Sequence, residues 1–330
     1  MAGYHPYRNL RLPPNAPFEL RPSPGKGWGA FATRLIHRGE VILRENPLFV
    51  IPGPNVTDKS LWQAFLGLSQ DQQQQFSYIR NNSSTLFTDM IQAMSQNHFT
   101  VVDDNPVTAQ LHLLGFFVLQ SRFNHSCLPN STTPAAPTYT VTRYATRPIF
   151  AGDEITFSYT PDLKFMVRQE RHRALRFVCT CSACQVSTPN RIGIPHQTVS
   201  DQRRVLIRGL QYLVSGQDPV LKRRHGPVED MAVPPLFFDL AKKREAESLR
   251  IPLSAKFIAV LLYAALLEEE DILDDHMLNI MRPNSLRIAH RFRTRSNIAI
   301  VRHVWAQSTW AIRFWYALFY LWNKTDAADP

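Results

Sequence analysis

Apolar residues near the start of the chain come in short runs that Gly and Pro interrupt. In FELRPSPGKGWGAFATRLIHRGEVILRENPLFVIP, residues 18–52, these runs alternate with polar residues and show no helical period. Such alternation is typical of small strands joined by turns. We therefore predict that residues 15–54 form the first part of a β-domain.

The spacing of apolar residues changes to that of helices between residues 58 and 97, where Asp and Ser stand at candidate caps. This change predicts a helical insertion over residues 55–105. The apolar run AQLHLLGFFVLQSRF, residues 109–123, predicts one more helix. Strand-like alternation returns in YTVTRYATRPIFAGDEITFSY, so residues 106–162 are predicted to complete the β-domain.

The last part of the chain has the pattern of a helical domain, which we place at residues 198–324. Its apolar stripes occupy residues 200–214, 236–250, 252–270 and 285–322, separated by Gly and Pro. The most apolar stretch, AIRFWYALFYLWN, is too short to span a membrane and holds Arg313 near its start. We interpret it as a core or docking helix and predict no membrane span. The predicted fold class is α+β with an all-helical C-terminal domain.

The net charge of the chain gives only weak information about its binding partners. The chain of 330 residues has a formal net charge of +10, which favours acidic partners such as nucleic acid, anionic lipid or an anionic cofactor. Its basic clusters fall on different predicted helices, so contact with nucleic acid stays open without specific support. The N-terminal residues lack the apolar run of a secretory signal. We therefore expect a nuclear or cytoplasmic protein, not a secreted one.

The four cysteines of the chain predict a metal site. Cys179, Cys181 and Cys184 lie within FVCTCSACQ, and Cys127 lies upstream in SRFNHSCLPN. In a reducing compartment, thiolates at such short spacing favour one tetrahedral zinc, and Cys127 would complete the set. Disulfides and unbonded core cysteines are the alternatives. We predict one zinc with four cysteine ligands.

Four motifs occur in a fixed order along the chain: GKGWGAFA, RFNHSCLPN, AGDEITFSY and CTCSAC. The first lacks the Ser or Thr of a phosphate-binding loop and the following helix of a dinucleotide fingerprint. Together the four resemble the SET-domain protein lysine methyltransferases, especially the SET and MYND branch and its fungal relatives. The resemblance covers roughly the first 185 residues. It makes residues 15–54 and 106–162 the two parts of a SET domain with a pseudoknot, and residues 163–190 its zinc-bound post-SET segment.

The resemblance implies an enzyme that transfers a methyl group from S-adenosylmethionine to the ε-amine of a protein lysine. It assigns Tyr159 as the catalytic residue and makes Phe157 and Tyr159 the walls of the substrate channel. The cofactor contacts that it implies are Lys26, Gly27, Trp28, Asn124, His125, Tyr159 and Phe177. It also implies that Cys127, Cys179, Cys181 and Cys184 bind the post-SET zinc.

The chain departs from this family in two places. Residues 54–105 contain no cysteine, so the MYND zinc finger is absent, and Leu175 stands where many relatives have an aromatic residue. Two other functions stay open because function belongs to the site and not to the fold. One is a SET-like fold that acts on a small molecule, and the other is a catalytically silent interaction protein. The sequence does not specify the substrate protein, histone or non-histone, or the number of methyl groups added.

Overall fold

The structure is a computed structural model that describes residues 5–81, 83–102, 112–134, 138–185 and 199–215, with residues 220, 241, 244, 248, 262–263, 266–267 and 269–272. The chain divides into two compact units, Met1–Ser158 and Tyr159–Pro330.

The described part of the first unit consists of short strands and three α-helices. The strands are β1 (Phe18–Ser23), β2 (Gly27–Ala32), β3 (Val41–Glu45), β4 (Val50–Pro52), β5 (His98–Val101), β6 (Leu113–Phe116), β7 (Asn124–His125), β8 (Ser131–Thr132), β9 (Val141–Ala145) and β10 (Glu154–Phe157). The helices are α1 (Asp58–Leu66), α2 (Gln70–Ser77) and α3 (Met90–Asn97). Small strands and several helices give the mixed α+β architecture that the sequence predicts.

Three small sheets carry the first unit. The largest has the strand order β1-β2-β10-β7, and the others have the orders β3-β9-β8 and β4-β6-β5. The pairs of the large sheet are antiparallel except β10 with β7, which is parallel. Gly25 and Gly27, with φ of 72° and 77°, form the turn that joins β1 to β2. These angles lie in the left-handed region, where a residue without Cβ is not strained.

The helix predicted for residues 109–123 is wrong over the residues that the structure describes. Residues 113–116 form β6, the central strand between β4 and β5, and Gln120–Arg122 form a single 3-10 turn. A central strand covered on both faces is apolar without alternation, so its pattern resembles that of a buried helix. Gly115 fits the strand closely, because a Cβ there would lie 2.8 Å from a ring carbon of Phe117.

The helices of the insertion start at side-chain caps. The Thr57 hydroxyl accepts a hydrogen bond from the Ser60 backbone N–H, Ser69 caps α2 in the same way, and Asp89 caps α3. All three helices lie within residues 58–97, where the apolar spacing predicts helices. Caps of this kind satisfy backbone N–H groups that have no partner inside the helix.

The core of the first unit joins the large sheet to the helical insertion. It contains Phe18 and Ala30 of the sheet, Leu61 and Met94 of the insertion, and the fully buried ring of Phe123. One continuous apolar cluster therefore supports the segments on both sides of the insertion.

The described part of the second unit is helical. It contains a 3-10 helix (Pro161–Phe165), α4 (Arg168–Leu175) and α5 (Val199–Ser215), and the described residues between 241 and 269 are helical too. The Arg171 guanidinium, which is buried, lies 3.1 Å from the Asp201 carboxylate, and this ion pair joins α4 to α5. The predicted stripe at residues 285–322 lies outside the described residues. No helix found in the described part is long and apolar enough to cross a membrane.

Candidate active site

The Glu154 carboxylate organises a polar cluster in the large sheet. Its oxygens accept hydrogen bonds from Lys26 Nζ at 2.8 Å, Ser23 Oγ at 2.7 Å and Asn124 Nδ2 at 2.7 Å. Asn124 Nδ2 also donates to the backbone oxygen of Trp28, at 3.2 Å. Two residues predicted to contact the cofactor, Lys26 and Asn124, thus share one carboxylate partner.

Strand pairing explains how residues distant in sequence meet at this cluster. The antiparallel β2–β10 pair sets Glu154 opposite Phe31, and the parallel β10–β7 pair sets Thr156 opposite Asn124. Gly29 of β2 leaves the space that the side chains of Glu154 and Asn124 occupy. A Cβ at Gly29 would lie 2.6 Å from Glu154 Oε1 and 2.7 Å from Asn124 Nδ2.

The three glycines of GKGWG are therefore needed for different physical reasons. Gly25 and Gly27 supply positive φ angles in the turn, whereas Gly29 supplies space for two side chains of the chain itself. For Gly29, the close neighbours in the structure are Glu154 and Asn124.

We predict that Gly29→Ala lowers the free energy of unfolding by about 1–3 kcal/mol, because the added methyl group must displace the side chains of Glu154 and Asn124. Urea denaturation measures this loss. Gly67→Ala is the matched control, since its Cβ would meet its nearest atom at an ordinary 3.5 Å. Equal stability changes in the two variants would contradict the steric role of Gly29.

Glu154 is ionised in this cluster. Burial by itself would raise the pKa of its carboxyl, but the hydrogen bonds from Lys26, Asn124 and Ser23 together outweigh burial and leave the pKa below its ordinary value of 4.5. The charged carboxylate can therefore hold Lys26 Nζ and Asn124 Nδ2 in fixed positions at neutral pH.

The lowered pKa of Glu154 predicts a dependence of stability on pH. A carboxyl whose pKa is lower in the folded state stabilises the fold above its ordinary pKa, and this contribution disappears as the pH falls through the lower folded value. Glu154→Gln should therefore be less stable than wild type at pH 7, and the difference should shrink below about pH 4.5. Chemical denaturation between pH 3 and 7 measures this, with Glu19→Gln at an exposed position of β1 as control. A pH-independent difference would contradict the prediction.

The segment NHSCLPN is fixed to β10 by its own side chains. Asn130 donates to the Glu154 backbone oxygen at 2.9 Å and accepts from the Thr156 backbone N–H at 2.7 Å. His125 is buried, and its Nε2 lies 3.3 Å from Cys127 Sγ. The segment thus places the predicted cofactor residues Asn124 and His125 beside one predicted zinc ligand.

The Trp28 side chain packs against the N-terminal segment. Its ring stacks on the imidazole of His5, with centroids 4.3 Å apart, and meets the ring of Tyr7 edge-on. The indole also packs on the apolar core. Trp28 thus has two roles. Its backbone oxygen belongs to the polar cluster around Glu154, and its side chain packs against the N-terminal segment.

In the second unit, the predicted site residues Tyr159 and Phe177 lie near each other. Their ring centroids are 6.4 Å apart with an interplanar angle of 72°, and the residues are 46% and 43% exposed. Arg176, with φ of 60°, ends α4 in the left-handed conformation and starts the segment that carries Phe177. Two half-exposed aromatic rings at this spacing can offer apolar faces to a ligand.

The four cysteines come together as the sequence predicts. The Sγ atoms of Cys127, Cys179, Cys181 and Cys184 all lie within 4.8 Å of one another, and none forms a disulfide. Four sulfurs around a tetrahedral zinc, at about 2.3 Å each, lie roughly 3.8 Å apart. The cluster is therefore compatible with one zinc.

The Arg171 guanidinium supports this interpretation of the cysteines. Its Nη2 donates to Cys184 Sγ at 3.3 Å and to the Ala183 backbone oxygen at 3.1 Å. Four thiolates around Zn²⁺ carry a net charge of −2, and a buried cation that donates to one sulfur offsets part of it.

Sequence reasoning missed Glu154 and Gly29 as parts of the site. Both lie inside motifs that the sequence analysis quoted, AGDEITFSY and GKGWGAFA, but neither received a role. The available signal was the paired occurrence of an acidic residue in one motif and Lys26 in the other. Lys26, Gly27, Trp28, Asn124, His125, Phe157, Tyr159 and Phe177 stay predictions as ligand contacts.

Comparisons with known proteins match the part of the chain that contains Glu154 and Asn124. Residues 27–160 match the family described as SET domain. The chain is 29% identical over 174 residues to the histone-lysine N-methyltransferase set5 of Schizosaccharomyces pombe, which covers 51% of this chain and 50% of that protein. It is 36% identical over 73 residues to a SET and MYND domain-containing protein of Dictyostelium discoideum, over 22% of this chain and 21% of that protein.

Among solved structures, the Neurospora SET domain protein DIM-5, a histone lysine methyltransferase, matches 47% of this chain and 55% of its own, at 16% identity and a TM-score of 0.28. The chain thus spans at most about half the length of the curated relatives named here. Glu154, Asn124 and β2 all lie within the matched range, and residues 27–160 of this chain form a SET domain.

Proposed function

We propose that this chain transfers a methyl group from S-adenosylmethionine to the ε-amine of a protein lysine. The observation that carries the proposal is the Lys26–Glu154–Asn124 cluster, of which Glu154 and Asn124 lie within the range that matches the SET domain. The names of the curated relatives, which include histone-lysine N-methyltransferases, support the same reaction class.

The cluster fits the amino-acid end of the cofactor. That end carries a carboxylate and an ammonium group. Lys26 Nζ donates one of its hydrogen bonds to Glu154, so further N–H groups can bind a carboxylate. Asn124 Nδ2 donates to Glu154 and to the backbone oxygen of Trp28, which leaves Asn124 Oδ1 as an acceptor for the ammonium group of the cofactor. Glu154 thus orients both residues for complementary contacts.

S-adenosylmethionine, when bound, would supply an electrophilic methyl group on a sulfonium. In-line transfer to an amine needs alignment more than acid or base chemistry, so the residues of the chain serve mainly to position the lysine. Phe157 and Tyr159 would line its channel and disfavour the ammonium form by desolvation. The Tyr159 hydroxyl oxygen would orient the methyl group through weak C–H contacts.

The zinc completes the proposal. Cys127, Cys179, Cys181 and Cys184 would hold one structural ion, which needs no open coordination position. We assign residues 163–190 to the post-SET segment, and residues 198–324 to a helical C-terminal domain. The helices α4 and α5 within these ranges support the assignment. The expected location is the nucleus or the cytoplasm.

A transfer assay tests the proposed function. The purified chain is incubated with methyl-labelled S-adenosylmethionine and, in separate reactions, with core histones, with total protein extract and with a small-molecule extract. We expect label in protein that acid hydrolysis releases as methyl-lysine. Label only in small molecules would indicate the alternative enzyme, and cofactor binding without transfer in any reaction would indicate an interaction protein.

A further inference from the structure

Arg143 of β9 is a fully buried cation next to a predicted channel residue. The residue is 0% exposed, and its guanidinium carbon lies 4.2 Å from the ring centroid of Phe157 and 4.2 Å from that of Phe123. Two aromatic rings thus contact the flat guanidinium. A planar cation suits such contacts better than an ammonium does.

Hydrogen bonds fix the orientation of this guanidinium. Arg143 Nε donates to Gln120 Oε1 at 3.0 Å, and Nη1 donates to Ser131 Oγ at 3.2 Å. The Ser131 hydroxyl donates in turn to the Thr156 backbone oxygen at 2.8 Å. Arg143 is therefore connected to β10 immediately before Phe157.

The partly buried carboxylate of Glu45, at the end of β3, fixes the other end of this network. The Glu45 carboxylate accepts hydrogen bonds from the backbone N–H groups of Val118, Leu119 and Gln120, at 3.0, 2.9 and 2.6 Å. The Gln120 side chain then holds Arg143. The position of the guanidinium is thus set by β3 and by the turn after β6.

The ring of Phe157 is also held by Phe99 of β5. Their centroids lie 5.7 Å apart with an interplanar angle of 23°, which is a stacked arrangement. Phe157 thus contacts both a buried cation and a second ring. Phe123 makes the same cation contact at the same distance, but it is fully buried in the apolar core.

We propose that Arg143 is a positioning residue for the reacting lysine, acting through the ring of Phe157. This inference rests on the proposed function, because Phe157 must line the lysine channel. Transfer in line tolerates little displacement of the amine, so a small movement of the channel wall lowers the turnover number. Arg143 keeps the wall in place through a contact that Lys, with no planar group, cannot reproduce.

Double-mutant cycles test the inference in the full chain. Arg143→Lys should lower kcat for a lysine substrate by on the order of tenfold, with unchanged affinity for S-adenosylmethionine. In a Phe157→Leu background, the same change should lower kcat less than about twofold, because the ring through which Arg143 acts is gone. In a Phe123→Leu background, the full effect of Arg143→Lys on kcat should persist.

Ser131→Ala keeps the test informative if Arg143→Lys does not fold. It removes one acceptor of Arg143 and the link to the Thr156 oxygen, and it should lower kcat only when Phe157 is present. Equal coupling of Arg143 to Phe157 and Phe123 in kcat would overturn the inference in favour of a purely structural role. An unchanged kcat in Phe157→Leu would overturn it as well. If the wild-type chain transfers no methyl group, the proposed function itself fails.

Discussion

Tyr159→Phe is expected to lower the rate of methyl transfer about a hundredfold, with little change in the affinity for S-adenosylmethionine. This loss corresponds to an activation free energy that is higher by about 2.7 kcal/mol. The variant keeps the ring that lies 6.4 Å from Phe177, so the packing of the two aromatic residues persists. It removes the hydroxyl that would orient the polarised methyl group. The rate of methyl transfer should therefore fall while the affinity for S-adenosylmethionine stays nearly the same.

Single-turnover transfer to a lysine peptide, with calorimetry of cofactor binding on the same preparations, measures the two effects. Tyr139→Phe is a matched control, because Tyr139 is 39% exposed and Tyr159 is 46% exposed, and Tyr139 lies outside the assigned site. If Tyr159→Phe transfers methyl groups as fast as wild type, the assigned catalytic role is wrong. A parallel loss of cofactor affinity would instead make Tyr159 a binding residue.

The order of motifs in the sequence predicted the fold of residues 27–160 well, because each motif belongs to a strand or turn with its own local signal. GKGWG indicated a turn through its glycines, and AGDEITF indicated a turn and a strand through its alternation. The strand at residues 113–116 lacked such a signal. Its apolar run reflects burial on both faces, which a helix core and a central strand share.

The contacts of the candidate site could be predicted only in part. The four cysteines were assigned together because soft ligands at short spacing carry a chemical signal of their own. Glu154 carries no such signal, since its meeting with Lys26 and Asn124 depends on the registers of β2–β10 and β7–β10. Arg143 is similar, because a charged residue on an alternating strand is ordinarily placed at the surface. Such contacts come from long-range pairing and packing.

Cys181→Ser is expected to remove most of the zinc and to destabilise the second unit. Loss of one of four thiolates should weaken zinc binding more than the 10- to 100-fold change that is usual for an outer-shell residue, so at least about a hundredfold. The free energy of zinc binding is coupled to folding, because the unfolded chain has no preformed site. Sulfurs within 4.8 Å of one another would then repel as thiolates or become protonated without the ion.

Metal analysis of the purified chain and thermal unfolding with and without a chelator measure these effects. We expect about one zinc per wild-type chain, a large decrease in Tm when the chelator removes it, and little response to the chelator in Cys181→Ser. Ser182→Ala, at an exposed position between two cysteines of the cluster, is the matched control and should behave as wild type. A wild-type chain that unfolds at the same temperature with and without zinc would show that the four cysteines are packed thiols. In that case Arg171 would be a hydrogen-bond donor to an ordinary buried sulfur.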